Sequence, residues 1–218
     1  MNHSEQATID LGYQLATRDC MKKDGFDYQV VDARADPTPV DRRYGVWVEN
    51  EAAQNGYETP ADTPSQVKLQ QLNSAANPEG WDASHLRCGQ EAAKTYIANS
   101  LPSDLSAFQG YEDFMTLPQT KKVLDDWRQC LSSQNVNPPR DGWVPSSAMS
   151  GGKENEIKIA LIDVKCKEEN GTVQKLADIE ASLQMPKVRA DEPQLVDQRK
   201  AVDDALKAAN KIIAANGL

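Results

Sequence analysis

Arg18-Asp19-Cys20-Met21, followed at Gly25-Phe26 by a helix-stop signal, returns in outline 110 positions later as Arg128-Gln129-Cys130-Leu131 followed by Asn135-Val136. Ahead of the first stretch, Ile9, Tyr13, Ala16 and Cys20 recur at helical spacing. Ahead of the second, Val123, Leu124, Trp127, Cys130 and Leu131 form an apolar stripe. Each cysteine therefore ends an amphipathic helix on its apolar side. Gly25 suits the left-handed residue that closes a helix, with Phe26 folding back on the last turn.

Outward from these two stretches, each half holds one further cysteine. Cys88 follows Arg87 and precedes Glu91 by three places, and Cys166 follows Lys165 and precedes Glu169 by three. The halves share a plan: a helix with one cysteine, a long loop, then a second helix with the other. That plan divides the chain into an N-terminal helical half, 1–110, and a C-terminal half, 111–218, expected to pack as one unit.

Four cysteines permit two disulfides, and three connectivities are open to them. The simplest pairing joins Cys20 to Cys88 and Cys130 to Cys166. Packed helices lie about 8–10 Å apart, and small residues at the contact bring the Cα atoms into bonding range. Free buried thiols remain an alternative. No Cys-x-x-Cys or Cys/His cluster exists, so zinc and redox chemistry are disfavoured, and neither a metal nor a cofactor is expected.

The expected fold is mainly α, with long Pro/Gly-rich loops and room for a few short strands. Tyr28 to Val31 is one candidate extended segment. A helix is expected over Gln66 to Ser74, a turn at Asn77 to Asp82, and a helix over His85 to Asn99. Residues 154–169 fit a strand through Ile157, Ile159 and Leu161, or a helix through Ile157, Ala160, Leu161 and Val164; length and flanking charge favour the helix. Pro186 is expected to end the run that follows. Asp191-Glu192-Pro193 opens a long terminal helix, which Arg199 keeps from being a coiled-coil seam.

Lys+Arg number 24 against 33 Asp+Glu, a net charge of −9. The basic footprint that nucleic acids or anionic lipid attract is absent, so those partners are disfavoured. No stretch approaches a membrane span. With only three Phe and six Tyr the core is thin, and Ala, Leu, Val and Ile must carry it. Cross-links suit such a core, at about 2–4 kcal/mol each in an oxidising compartment.

Little points to catalysis. His3 lies near the terminus, and His85 at a helix start reads as a cap or surface residue. No Gly-x-Ser-x-Gly elbow or phosphate loop is present. The acid pairs Asp125-Asp126, Glu168-Glu169 and Asp203-Asp204 read as solvated helix faces, with hydrolysis through a carboxylate pair as the alternative. Trp47, Trp81 and Trp143 lie in or beside Gly/Pro-rich segments, where an indole either covers a core edge or anchors a ligand.

Cys20-Met21 before Gly25-Phe26-Asp27-Tyr28 resembles a pattern of exported proteins and lipoproteins from Actinobacteria. Tyr44-Gly45-Val46 with Ala52-Ala53-Gln54-Asn55-Gly56-Tyr57, and Trp127-x-x-Cys130 with Ala160-x-x-Asp163-x-x-Cys166, belong to the same pattern. Leu131 departs from it where methionine is common. The resemblance implies helices, a secretion or lipoprotein signal and a place in the cell envelope, and names no activity. Met1-Asn2-His3-Ser4-Glu5-Gln6 is polar, so no signal peptide is read there; a cytosolic protein with free thiols or a mature fragment given a new starting methionine is expected, and the cysteines favour the second. The expectation is a secreted protein, or one tethered to the outer face of the cytoplasmic membrane through a segment absent from this chain. A non-enzymatic binding or accessory role is expected, with a protein or cell-wall component as partner.

Overall fold

Polar caps define the first helix. Asn2 accepts from the Glu5 amide, and the Glu5 carboxylate accepts from the Asn2 amide in return, closing a capping box on α1 (His3–Lys23). The far end stops as its sequence suggests. Gly25 takes φ +84°, and the Phe26 amide donates back to the Met21 carbonyl at 3.0 Å.

The computed structural model describes residues 1–74, 76–96 and 111–218, the side chains of 111–113 excepted. The described residues form nine α-helices and one short 3-10 helix, with no strand. After α1 come α2 (Glu49–Asn55), α3 (Pro64–Asn73), α4 (Trp81–Tyr96), α5 (Tyr111–Thr116) and α6 (Pro118–Ser133). The 3-10 helix (Ser146–Ser150), α7 (Gly152–Glu169), α8 (Thr172–Ala190) and α9 (Glu192–Ala215) follow. Residues 154–169 are thus helical. Tyr28 to Val31 joins no sheet; the Gln14 side chain donates to the Val31 carbonyl and accepts from its amide, at 3.0 and 2.8 Å.

Two sequence boundaries are corrected. The helix expected from His85 begins at Trp81, because Gly80 at φ +83° turns the chain directly into it and Asn77 holds the Asp82 carboxylate at 3.0 Å. Its expected last residues, 97–99, lie outside the described residues. Pro186 does not end α8, which continues to Ala190. A proline removes one backbone hydrogen bond. The carbonyl left over is that of Ser182, an exposed residue, so water can reach it.

The chain forms two compact units, and neither is a continuous span. The first comprises 1–39, 62–106 and 191–218; the second comprises 40–61 and 107–190. Among the described residues, a division at 110/111 therefore differs from the observed one at two places. Residues 40–61 cluster with the C-terminal helices, and α9 clusters with the N-terminal ones.

In the first unit α1 is central. Cys20 is bonded to Cys88 of α4, with Cα atoms 5.6 Å apart, and the Asp24 carboxylate caps the same junction through Ser84 and Arg87. α4 runs antiparallel to α1. α9 runs parallel to α1, because Glu5 meets Arg199 while Arg18 donates to Asn216 at 2.6 Å. Between those ends Gly12 faces Ala209, where a Cβ on Gly12 would lie 2.7 Å from the Ala209 Cβ. Ile9, Leu11, Leu15, Ala92, Val202, Ala205 and Ile213 fill the three-helix core. Each fully buried leucine contributes about 1.5–3 kcal/mol.

In the second unit, Cys130 of α6 is bonded to Cys166 of α7, again with Cα atoms 5.6 Å apart. The α6 terminus copies that of α1. Asn135 takes φ +59° in place of glycine, and the Val136 amide donates to the Leu131 carbonyl at 3.0 Å. Trp127, Phe114 and Tyr44 are among the largest core residues, so aromatics carry more of this core than the composition suggests.

Candidate functional site

Three buried acids organise the second unit. Asp163 and Lys167 sit one turn apart on α7, with side chains 0% and 1% exposed. Lys167 Nζ donates to Asp163 Oδ2 at 3.0 Å and to the Val46 carbonyl at 2.8 Å. Trp127 Nε1 donates to Asp163 Oδ1 at 2.7 Å, and the Tyr57 hydroxyl donates to Oδ2 at 3.1 Å. The ammonium also lies 5.3 Å from the Trp127 ring and 5.4 Å from the Trp143 ring. Burial pushes the Asp163 carboxyl up and the Lys167 amine down; their mutual attraction opposes both shifts.

The other two acids serve the same chain segment. Glu156, 7% exposed, accepts from the Tyr57 amide at 2.7 Å and the Glu58 amide at 3.2 Å. Glu180 of α8 accepts from the Tyr44 hydroxyl at 2.5 Å and pairs with Arg43. Residues 43–58 are thus tied to α7 and α8 by hydrogen bonds to buried carboxylates, which is why they leave the N-terminal half. These carboxylates are occupied by donors within the fold. The adjacent acid pairs singled out in the sequence lie on outer faces of their helices. Asp126 is paired with Lys122, Glu169 with Lys165, and Asp203 with Arg199.

Trp47, Trp81 and Trp143 each line a different cavity. Trp47, 37% exposed, borders one of about 320 Å³ with Glu49, Glu168 and Gln174, and Lys167 forms part of its lining. Trp143 borders one of about 310 Å³ in the same unit. Its ring also packs on Trp127 at 5.4 Å and edge-on to Tyr44 at 6.0 Å, so it belongs to core and cavity together.

The cavity at Trp81, about 350 Å³, lies in the first unit. Trp81 and His85 are four residues apart on α4 and stack at 4.7 Å with their planes 27° apart. Tyr28 stacks on His85 at 5.4 Å from the irregular segment after α1. Trp81 Nε1 donates to the Asp27 carbonyl at 3.0 Å, which fixes the indole against that segment. Leu69 and Leu72 of α3 form an apolar wall, and Asn73, Asn77 and Gln29 bring amide groups to the lining. Burial pushes the Tyr28 phenol above its ordinary value. The chemistry offered is flat aromatic surface with amide donors and acceptors around it, a pattern suited to a ring-bearing ligand.

His85 thus lies in an aromatic stack rather than at a cap. With the helix expected only from His85, the sequence did not bring Trp81 one turn from His85, and the approach of Tyr28 had no local signal. His3 is on α1, with its Nε2 buried and without a hydrogen-bond partner. Among the described residues, no group of three or more His, Cys, Asp or Glu is placed to hold a metal ion, and no helix is long and apolar enough to cross a membrane. Comparison with protein-family models, curated proteins and solved structures gives no match for this chain.

Proposed function

We propose that this is an extracytoplasmic, non-enzymatic binding or accessory protein of the cell envelope, and that the Tyr28–Trp81–His85 cavity receives the ring of its ligand. The observation that carries the reading is the stack itself. Three aromatic rings from two chain segments line one cavity, with amide groups beside them. Such surfaces hold sugar rings and aromatic side chains alike, which suits a cell-wall component or a partner protein.

The location rests on other grounds. Two disulfides and no free cysteine suit an oxidising compartment. The likeness of the Cys20-Met21, Tyr44-Gly45-Val46 and Trp127-x-x-Cys130 stretches to exported actinobacterial proteins supports the same compartment, secreted or tethered to the outer face of the cytoplasmic membrane.

Calorimetric titration with soluble cell-wall glycan fragments, and with aromatic peptides in parallel, tests the site. Saturable binding by either probe, weakened about tenfold or more by Trp81→Ala, is the expected result. Equal binding by the wild type and Trp81→Ala, or no binding of either probe, overturns the assignment.

A further inference from the structure

The cavity beside Trp143 collects positive charge in an acidic chain. α6 places Lys121, Leu124 and Arg128 at intervals of three and four residues, hence on one face. The loop after α6 brings Arg140 and Trp143 to the same space, with Gly142 at φ +70° making the turn between them. Leu124 and Met115 supply its apolar lining, and Asp141 is the one acid among the lining residues.

Among the described residues, neither Lys121 nor Arg140 has an ion-pair partner. Arg128 reaches the Asp125 carboxylate only at 3.4 Å and the Arg140 carbonyl at 3.3 Å. Its Nε–H is buried and has no acceptor. Three cations therefore share one cavity of about 310 Å³, with Asp141 as the one acid in its lining and Asp125 paired to Arg128 from outside it. Mutual repulsion disfavours that grouping, and a bound anion relieves it. Guanidinium groups favour carboxylate and phosphate groups, which they can grip through two parallel N–H bonds. Trp143 lines the same cavity beside those donors.

We propose that this cavity is a second binding site, which takes a small molecule bearing a phosphate or carboxylate group on a ring. The anion meets Lys121, Arg128 and Arg140, and the ring lies against Trp143. The site is separate from the Tyr28–Trp81–His85 cavity and does not depend on that assignment.

Phenyl phosphate is a suitable probe, followed by heteronuclear NMR on the intact, oxidised chain. Saturable shifts of the Trp143 indole and of the Lys121, Arg128 and Gly142 amides are expected. Lys121→Gln combined with Arg140→Gln changes two exposed side chains and preserves the fold by circular dichroism; it weakens binding about tenfold or more. Added salt weakens it too. Inorganic phosphate competes at the same resonances with lower affinity, and Trp81→Ala leaves the titration unchanged. Unchanged affinity in the double variant, an equal response to neutral benzyl alcohol, or no saturable shift at Trp143 overturns the site. Equal affinity for inorganic and phenyl phosphate removes the ring from the proposal.

Discussion

The carboxylate of Asp163 lies 3.0 Å from the ammonium of Lys167, one turn along the same helix, and neither side chain reaches solvent. Around the pair, Trp127, Tyr57 and the Val46 carbonyl use the remaining hydrogen-bonding capacity. The pair therefore joins α6, α7 and the segment near residue 46.

Breaking this pair from one side leaves an uncompensated buried charge, which costs about 3–5 kcal/mol. Asp163→Asn and Lys167→Met are each expected to destabilise by that order in urea unfolding. The double variant should lose less than the sum of the two, since it strands no charge. Simple additivity would show that the two groups do not act as a pair.

Alkaline pH should unfold the protein through its phenols. Burial, then the Glu180 carboxylate, raises the Tyr44 pKa above the ordinary 10.0; burial, then Asp163, raises that of Tyr57. The unfolded chain releases these protons near 10.0 while the folded chain keeps them. Their contribution to stability is therefore full below pH 10.0 and falls as the pH rises beyond it. Denaturant midpoints measured across this range should fall less steeply in Tyr57→Phe than in the wild type, and an equal slope would remove Tyr57 from the account.

Each disulfide should be worth about 2–4 kcal/mol. Non-reducing mass spectrometry should return Cys20–Cys88 and Cys130–Cys166. Replacing Cys130 and Cys166 by serine should raise hydrogen exchange at Ala52 and Tyr57, because α7 carries both the bridge and the surface on which those residues pack. Unchanged exchange there would mean that the buried acids hold the segment without help from the bridge.

Two glycines should resist substitution because of close approach. A Cβ on Gly45, at φ +76°, would lie 2.6 Å from the Trp143 Cβ and 3.0 Å from Lys167 Nζ. On Gly12 it would lie 2.8 Å from the Ala209 backbone. Either alanine variant is expected to cost about 1–3 kcal/mol from overpacking. Gly45→Ala should add a further cost of about 1–2 kcal/mol for its left-handed backbone. Thermal midpoints measure both, and an unchanged midpoint for Gly12→Ala would show that α1 and α9 can separate freely.

Much of the local structure was legible in the chain. The helix stops at Gly25-Phe26 and Asn135-Val136, the cysteines five residues before them and the apolar stripe of Val123, Leu124, Trp127, Cys130 and Leu131 follow from local backbone preference and side-chain spacing. The boundary misses at Trp81 and Pro186 have local causes too: a glycine that turns straight into a helix, and a proline tolerated beside exposed residues.

By itself the sequence determined a mainly helical, acidic chain with four cysteines on helices, because helical periodicity and chain-end signals act over a few residues. Only the tertiary structure decided which cysteines pair, which unit claims residues 40–61 and α9, and which aromatic and charged residues share a cavity. Those outcomes depend on groups far apart in sequence. Glu156, Asp163 and Glu180 hold a segment roughly a hundred residues or more away, and Tyr28 reaches His85 across a gap that no periodicity encodes. Burial makes a missing partner costly, and that cost rather than local propensity selects the arrangement.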